Sequence, residues 1–97
     1  MMEAPVISPE VLARYAGDAA LEVKGVSGLA RDAAEVTRTG GSAAVVVHVE
    51  LQWGAGSEEV ARQVQERVAD YLGRMAELEV GPVDVLIERV GAPPGKQ

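Results

Sequence analysis

The chain reads as an α+β domain: a two-layer sandwich in helix-strand-strand-helix-strand order, with two helices on one face of a small mixed sheet. Three observations predict it. Two segments repeat apolar residues at helical spacing, a valine-rich segment between them alternates apolar and polar residues, and a shorter alternating segment follows the second helix. One-sided helices and a sheet with one apolar face bury those surfaces against each other in two layers.

The first helix opens where Ser8 can cap, Pro9 takes the first helical position, and Glu10 complements the positive end of the helix dipole. Ile7, just before the cap, is placed to pack on Leu12 as a hydrophobic staple. Leu12, Tyr15, Ala16, Ala19, Ala20 and Val23 form the core-facing stripe, and Gly25 ends the helix. Gly17, unfavourable inside a helix, predicts tight packing or a local bend.

Residues 33–38 read as a weak strand leading into Gly40-Gly41, whose glycines suit a tight hairpin turn. Residues 44–53 give the strongest strand: Val45, Val47, Val49, Leu51 and Trp53 alternate with Val46, His48, Glu50 and Gln52. Gly54-Ala55-Gly56 breaks it, and Ser57 is expected to cap a second helix with Glu58 and Glu59 in its first turn. Val60, Ala61, Val64, Val68, Tyr71, Leu72 and Met75 make that helix's apolar stripe. After the expected turn at Gly81-Pro82, Val83, Val85 and Ile87 alternate with Asp84, Leu86 and Glu88 in a last strand. A short extra strand at residues 5–7 is a further expectation. A helix between the second and third strands makes those two parallel through a right-handed crossover, adjacent or separated by the first strand. Strand order is left open by the sequence.

At 97 residues one domain is expected, spanning residues 1–91, with 92–97 as a disordered tail. The hydrophobic fraction is 47% but aromatics are 3% with no Phe, so the core is built from Val, Leu, Ile and Ala. A domain of this size buries only about 60 to 65% of its unfolded surface, which favours self-association or a partner. With no cysteine, disulfides, thiolate metal sites and cysteine nucleophiles are excluded. The first residues lack a signal-peptide pattern, and no apolar run reaches the roughly 20 residues of a membrane span, so a cytoplasmic protein without direct membrane insertion is expected. The net charge of -6 disfavours nucleic acid and anionic lipid. Helical arginines have acidic neighbours one turn away, as in Glu10 with Arg14, Glu58 with Arg62 and Asp70 with Arg74, which predicts self-paired solvated faces.

Residue chemistry gives little toward catalysis. Gly54-Ala55-Gly56-Ser57 superficially resembles a phosphate cradle, but it lacks the third glycine and the lysine, and Glu58 and Glu59 set negative charge at the helix end. Gly25-Val26-Ser27-Gly28 matches the two-glycine loop of KH domains, the best nucleic-acid alternative, although such a loop sits between two helices and is usually flanked by basic residues. His48, the only histidine, has no second histidine or cysteine to complete a transition-metal site, and Glu50, two residues on, is placed to raise its pKa. No catalytic residue, cofactor or metal site is expected. The candidate interface is the sheet's outward face, with Val46, His48 and Leu86, together with Trp53 at a strand end. A charged residue at Leu86 or Val46 is expected to weaken assembly without unfolding the domain.

Three blocks, residues 8–28, Glu59 to Val68, and Leu78-Glu79-Val80 leading to Val83-Asp84-Val85, resemble the alkaline shock protein family of bacterial cell-envelope stress proteins. With the valine-rich strand between them they cover most of the chain from Ile7 to Val90. The chain differs from the usual family pattern in its short connection after the first turn and in Gln52-Trp53-Gly54, where a tyrosine commonly precedes the glycine. The resemblance implies a non-enzymatic protein at the cytoplasmic side of the membrane, recruited by a membrane-anchored partner, self-associating, and acting in envelope homeostasis or stress. It carries over no catalytic residues.

Overall fold

The computed structural model describes residues 7–76 and 79–93. Along the chain lie α1 (Pro9–Leu21), β1 (Val26–Thr39), β2 (Ser42–Leu51), α2 (Ser57–Ala76) and β3 (Glu79–Val90). The strands form one sheet in the order β1-β2-β3, β2 antiparallel to β1 and parallel to β3. Both helices pack on the same face, giving the expected two-layer α+β sandwich, with α2 as the crossover between adjacent parallel strands.

Ser8 caps α1, its hydroxyl accepting the Val11 amide proton at 3.2 Å. Ile7 packs at the core margin, and its carbonyl accepts from Arg38 Nη1 at 3.5 Å. The helix ends at Leu21, earlier than its apolar stripe extends; Val23 is still buried because the chain turns there and hands over to β1. Gly25 makes the turn at φ +102°. A side chain there would meet Val60 Cγ2 at 2.8 Å and Ala55 Cβ at 3.2 Å, so glycine is required by both backbone and space. Gly17 is buried, and a Cβ on it would lie 3.1 Å from Leu29 Cδ1, which makes close helix-on-sheet approach the reason for this glycine.

Two strands are longer than their local patterns. β1 starts at Val26, not in the thirties, because Val26 and Leu29 pair with Leu51 and Val49 of the strong central strand. The polar stretch between Leu29 and Ala34 is accommodated as an irregularity in register, where extra residues leave the ladder. β3 likewise absorbs Gly81-Pro82, expected as a turn. Proline removes a ladder donor and is tolerated because β3 is an edge strand. The break in register between Ala43 and Val45 falls at this point. β2 stops at Leu51, leaving Trp53 outside the strand. The turn between β1 and β2 is the expected two-residue connection: Thr39 and Ser42 close it, with Gly40 at φ +61°.

α2 begins at Ser57 itself, with the Gly56 carbonyl accepting from the Val60 amide at 2.9 Å, so Ser57 lies inside the first turn rather than capping it. Val60, Val64, Val68 and Leu72 are buried beneath it. They meet Val45, Val47, Val49 and Leu51 from β2 and Leu12, Ala16, Ala19 and Ala20 from α1. Tyr15 and Tyr71 close the interhelix seam edge to face, their rings 6.0 Å apart. Of the anticipated helical ion pairs, Asp70 with Arg74 forms, whereas Arg62 reaches Glu59 and Glu66 in place of Glu58. Arg14 makes no ion pair among the described residues. Of the extra strand expected at residues 5–7, positions 5 and 6 lie outside the described residues and Ile7 is not in a strand. Of the expected tail, Ala92 and Pro93 are in neither helix nor strand, and residues 94–97 lie outside the described residues. No helix among the described residues is long and apolar enough to cross a membrane.

Candidate functional site

Strand pleating sends successive side chains to opposite faces. On β2 the residues Val45, Val47, Val49 and Leu51 enter the core, so Val46, His48 and Glu50 project from the opposite, helix-free face. The register completes that face. Val46 sits opposite Glu35 of β1 and Asp84 of β3, and His48 sits opposite Leu86. Leu86 is 45% exposed, whereas Val46 is half-buried between its neighbours.

Glu88 is the next outward position on β3. Its Oε2 lies 2.7 Å from His48 Nδ1, and the ring nitrogen donates when it carries the hydrogen. This partner differs from the one expected within β2. Glu50 is separated from His48 by about 7 Å of strand rise, and its carboxylate leans over the bare α-carbon of Gly28, 3.6 Å from where a β-carbon would stand. A diagonal neighbour across strands reaches the ring more readily.

Beside His48, at the irregular part of β1, lies a hollow of about 290 Å³ lined by Ala30, Arg31, Asp32, Glu35, His48 and Glu88. On this face Val46 lies on the central strand and Leu86 on the edge strand β3, and Glu35, Glu50, Asp84 and Glu88 share it with them. Asp32, Glu35, Glu50 and Asp84 engage no arginine or lysine within 4 Å among the described residues. Every arginine ion pair of the described structure lies on the helical side: Arg62 with Glu59 and Glu66, Arg67 with Glu22, and Arg74 with Asp70.

Of the four residues singled out by sequence, the structure brings Val46, His48 and Leu86 together and leaves Trp53 apart. Trp53 is 55% exposed in the turn after β2, where it lines a separate hollow with Lys24, Gln52, Gly54 and Gln63 at the start of α2. Glu59 also lines that hollow. Hydrogen bonds from Arg62, and then from Gln63, hold its carboxyl below the usual glutamate range, with the Arg62 charge adding to the effect. A negative group at the helix end opposes anion binding there. Sequence reading missed the exposure of Ile87 and Val90, which pair with Val49 and Leu51 yet stand 38% and 50% exposed. Alternation marks Ile87 as inward, whereas Val90 shares the parity of Asp84 and Leu86 and comes opposite Leu51 only through the register shift after Ile87; both stand open on the edge strand β3. Gly25 to Gly28 leads from α1 into β1, with Val26 buried against the sheet, so this two-glycine segment does not lie between two helices. Among the described residues no group of three or more histidine, aspartate or glutamate side chains is placed to hold a metal ion.

The fold has close counterparts. A doubly substituted MamM CTD, a cation diffusion facilitator C-terminal domain, superposes with a TM-score of 0.66 at 16% identity, covering 91% of this chain and 87% of that one. Two singly substituted forms of MamM CTD give a TM-score of 0.58 at 18% identity over 82% of this chain, covering 94% and 95% of theirs. At that identity the likeness is one of fold. No family model and no curated protein matches the sequence.

Proposed function

We propose that this chain is a non-enzymatic scaffold or interaction protein of envelope stress or homeostasis. It acts at the cytoplasmic side of the membrane through a membrane-anchored partner and through self-association. The observation that carries the reading is the bare sheet face: both described helices cover one side, and Val46, His48 and Leu86 form a contiguous patch on the other. Apolar residues on the uncovered side of a three-stranded sheet suit a docking surface. The sequence blocks resembling alkaline shock proteins support the envelope context. Self-association draws support from β3, an edge strand with Ile87 and Val90 exposed along it. The KH-like alternative draws none from Gly25 to Gly28, which opens a strand.

The test is a crosslinked pull-down of the chain from its native cells, with detergent-solubilised membranes and nuclease treatment, comparing wild type with Leu86→Asp. Recovery of an integral membrane protein that Leu86→Asp loses, at unchanged thermal stability, supports the reading. Equal recovery by the variant, or recovery only of ribosomal proteins that vanish with nuclease, overturns it.

A further inference from the structure

From the charge distribution on this face we infer its occupant: a basic amphipathic helix of the partner protein, with Lys and Arg flanking an apolar stripe. This rests on the docking reading above and specifies what docks. Asp32, Glu35, Glu50, Asp84 and Glu88 share the face with Val46 and Leu86, against Arg31 and Arg89 among the described residues. Four of those five carboxylates make no ion pair within 4 Å among the described residues, although Arg89 stands opposite Glu50 in the register, and Glu88 contacts His48. Juxtaposing two such faces would bring like charges together, so a second copy of this chain is disfavoured here. Anionic lipid is disfavoured by the same sign.

Geometry sets the shape of the occupant. Three strands about 4.8 Å apart span roughly 10 Å, the width of one helix. Such a helix would cover the face as α1 and α2 cover the other, its apolar stripe on Val46 and Leu86 and its long cationic side chains reaching the carboxylates on β1 and β3. Segments on the cytoplasmic side of membrane spans carry an excess of Lys and Arg, which gives a membrane-anchored partner the required chemistry next to its anchor.

The experiment titrates the isotope-labelled full chain with a synthetic helical peptide of leucine and lysine, a matched peptide with glutamate for lysine, and phosphatidylglycerol vesicles, and follows the backbone amides by NMR. The lysine peptide is expected to shift Val46, His48 and Leu86, and to lose about tenfold in affinity both at high salt and in the Glu35→Lys, Asp84→Lys double variant. Leu86→Ala checks the apolar half and is expected to weaken binding severalfold with the fold intact. Equal binding of the glutamate peptide, unchanged binding by the double variant, shifts confined to α1 and α2, or binding to the vesicles in place of the peptide overturns the assignment. If the peptide fails while Leu86→Asp still abolishes recovery of a membrane protein from cells, the occupant is wrong and the docking surface stands. If Leu86→Asp changes nothing in cells either, the docking reading falls as well.

Discussion

Gly25 offers the sharpest test of how this fold is held together, because two separable penalties meet at one α-carbon. Its φ of +102° is unfavourable for any residue with a β-carbon, by about 1 to 2 kcal/mol. A β-carbon would also stand 2.8 Å from Val60 Cγ2 and 3.2 Å from Ala55 Cβ, and overpacking of that kind costs about 1 to 3 kcal/mol. Alanine restricts the unfolded chain, which returns about 0.4 to 1 kcal/mol. The expected net loss for Gly25→Ala is therefore about 1 to 4.5 kcal/mol, a substantial part of the roughly 5 to 15 kcal/mol that holds a domain together. Gly40 supplies the control: its φ is +61°, and nothing lies within 4 Å of its missing β-carbon. Gly40→Ala carries the backbone penalty alone, about 1 kcal/mol after the same correction. Urea unfolding of both variants measures the difference. Equal losses would show that contact with Val60 does not matter, and a Gly25→Ala loss below about 1 kcal/mol would refute the account of this turn altogether.

Ser8→Ala removes the hydroxyl that accepts from Val11 and should lower stability by about 1 kcal/mol, read from the urea midpoint. Leu72→Ala, at a position with no solvent exposure, should cost about 2 to 5 kcal/mol; a smaller loss in the same assay would mean that α2 does not seal the core there. Glu59 should titrate below ordinary glutamates by NMR, and Arg62→Ala should move it back up, since Arg62 is the main cause of the shift. The sign follows: a carboxyl lowered in the folded state stabilises the fold above its unfolded pKa, and that contribution disappears as pH falls through the folded value. An unmoved Glu59 titration in Arg62→Ala would show that the hydrogen bond is absent in solution.

Local patterns are legible in the sequence: Val45 to Leu51 alternates without interruption, so its inward and outward faces, with Val46 and His48 on the outward one, follow from the pleat alone. Leu12 to Ala20 and Val60 to Leu72 repeat at helical spacing and are buried accordingly. Partners far apart in sequence were not legible. Val26 to Leu29 has no alternation of its own and becomes strand because β2 offers it a ladder. Pro82 suggests a turn until β3 is known to be an edge. The His48 and Glu88 contact spans 40 positions and depends on the parallel register of β2 and β3, which no local pattern encodes. Alternation continued two residues past the end of β2 puts Trp53 on the inward side as core rim, whereas β2 ends at Leu51 and leaves Trp53 55% exposed.

Fold and function separate cleanly in this molecule. The buried set is valine, leucine and alanine, residues that specify two layers without specifying chemistry, and a similar arrangement occurs in MamM CTD at 16% to 18% identity. The surface carries the distinguishing information, and it is asymmetric. On the helical side Arg62, Arg67 and Arg74 pair with neighbouring carboxylates, while Glu10, Asp18 and Glu58 make no ion pair among the described residues. On the sheet side two arginines face five carboxylates, and Leu86 stands exposed among them. Exposed carboxylates alone would be an ordinary solvated surface, and an exposed leucine alone would be incidental. Together, on a face with both described helices committed to the other layer, they are the ground for proposing a cationic, amphipathic helix there in place of nucleic acid, anionic lipid or a second copy of the same face.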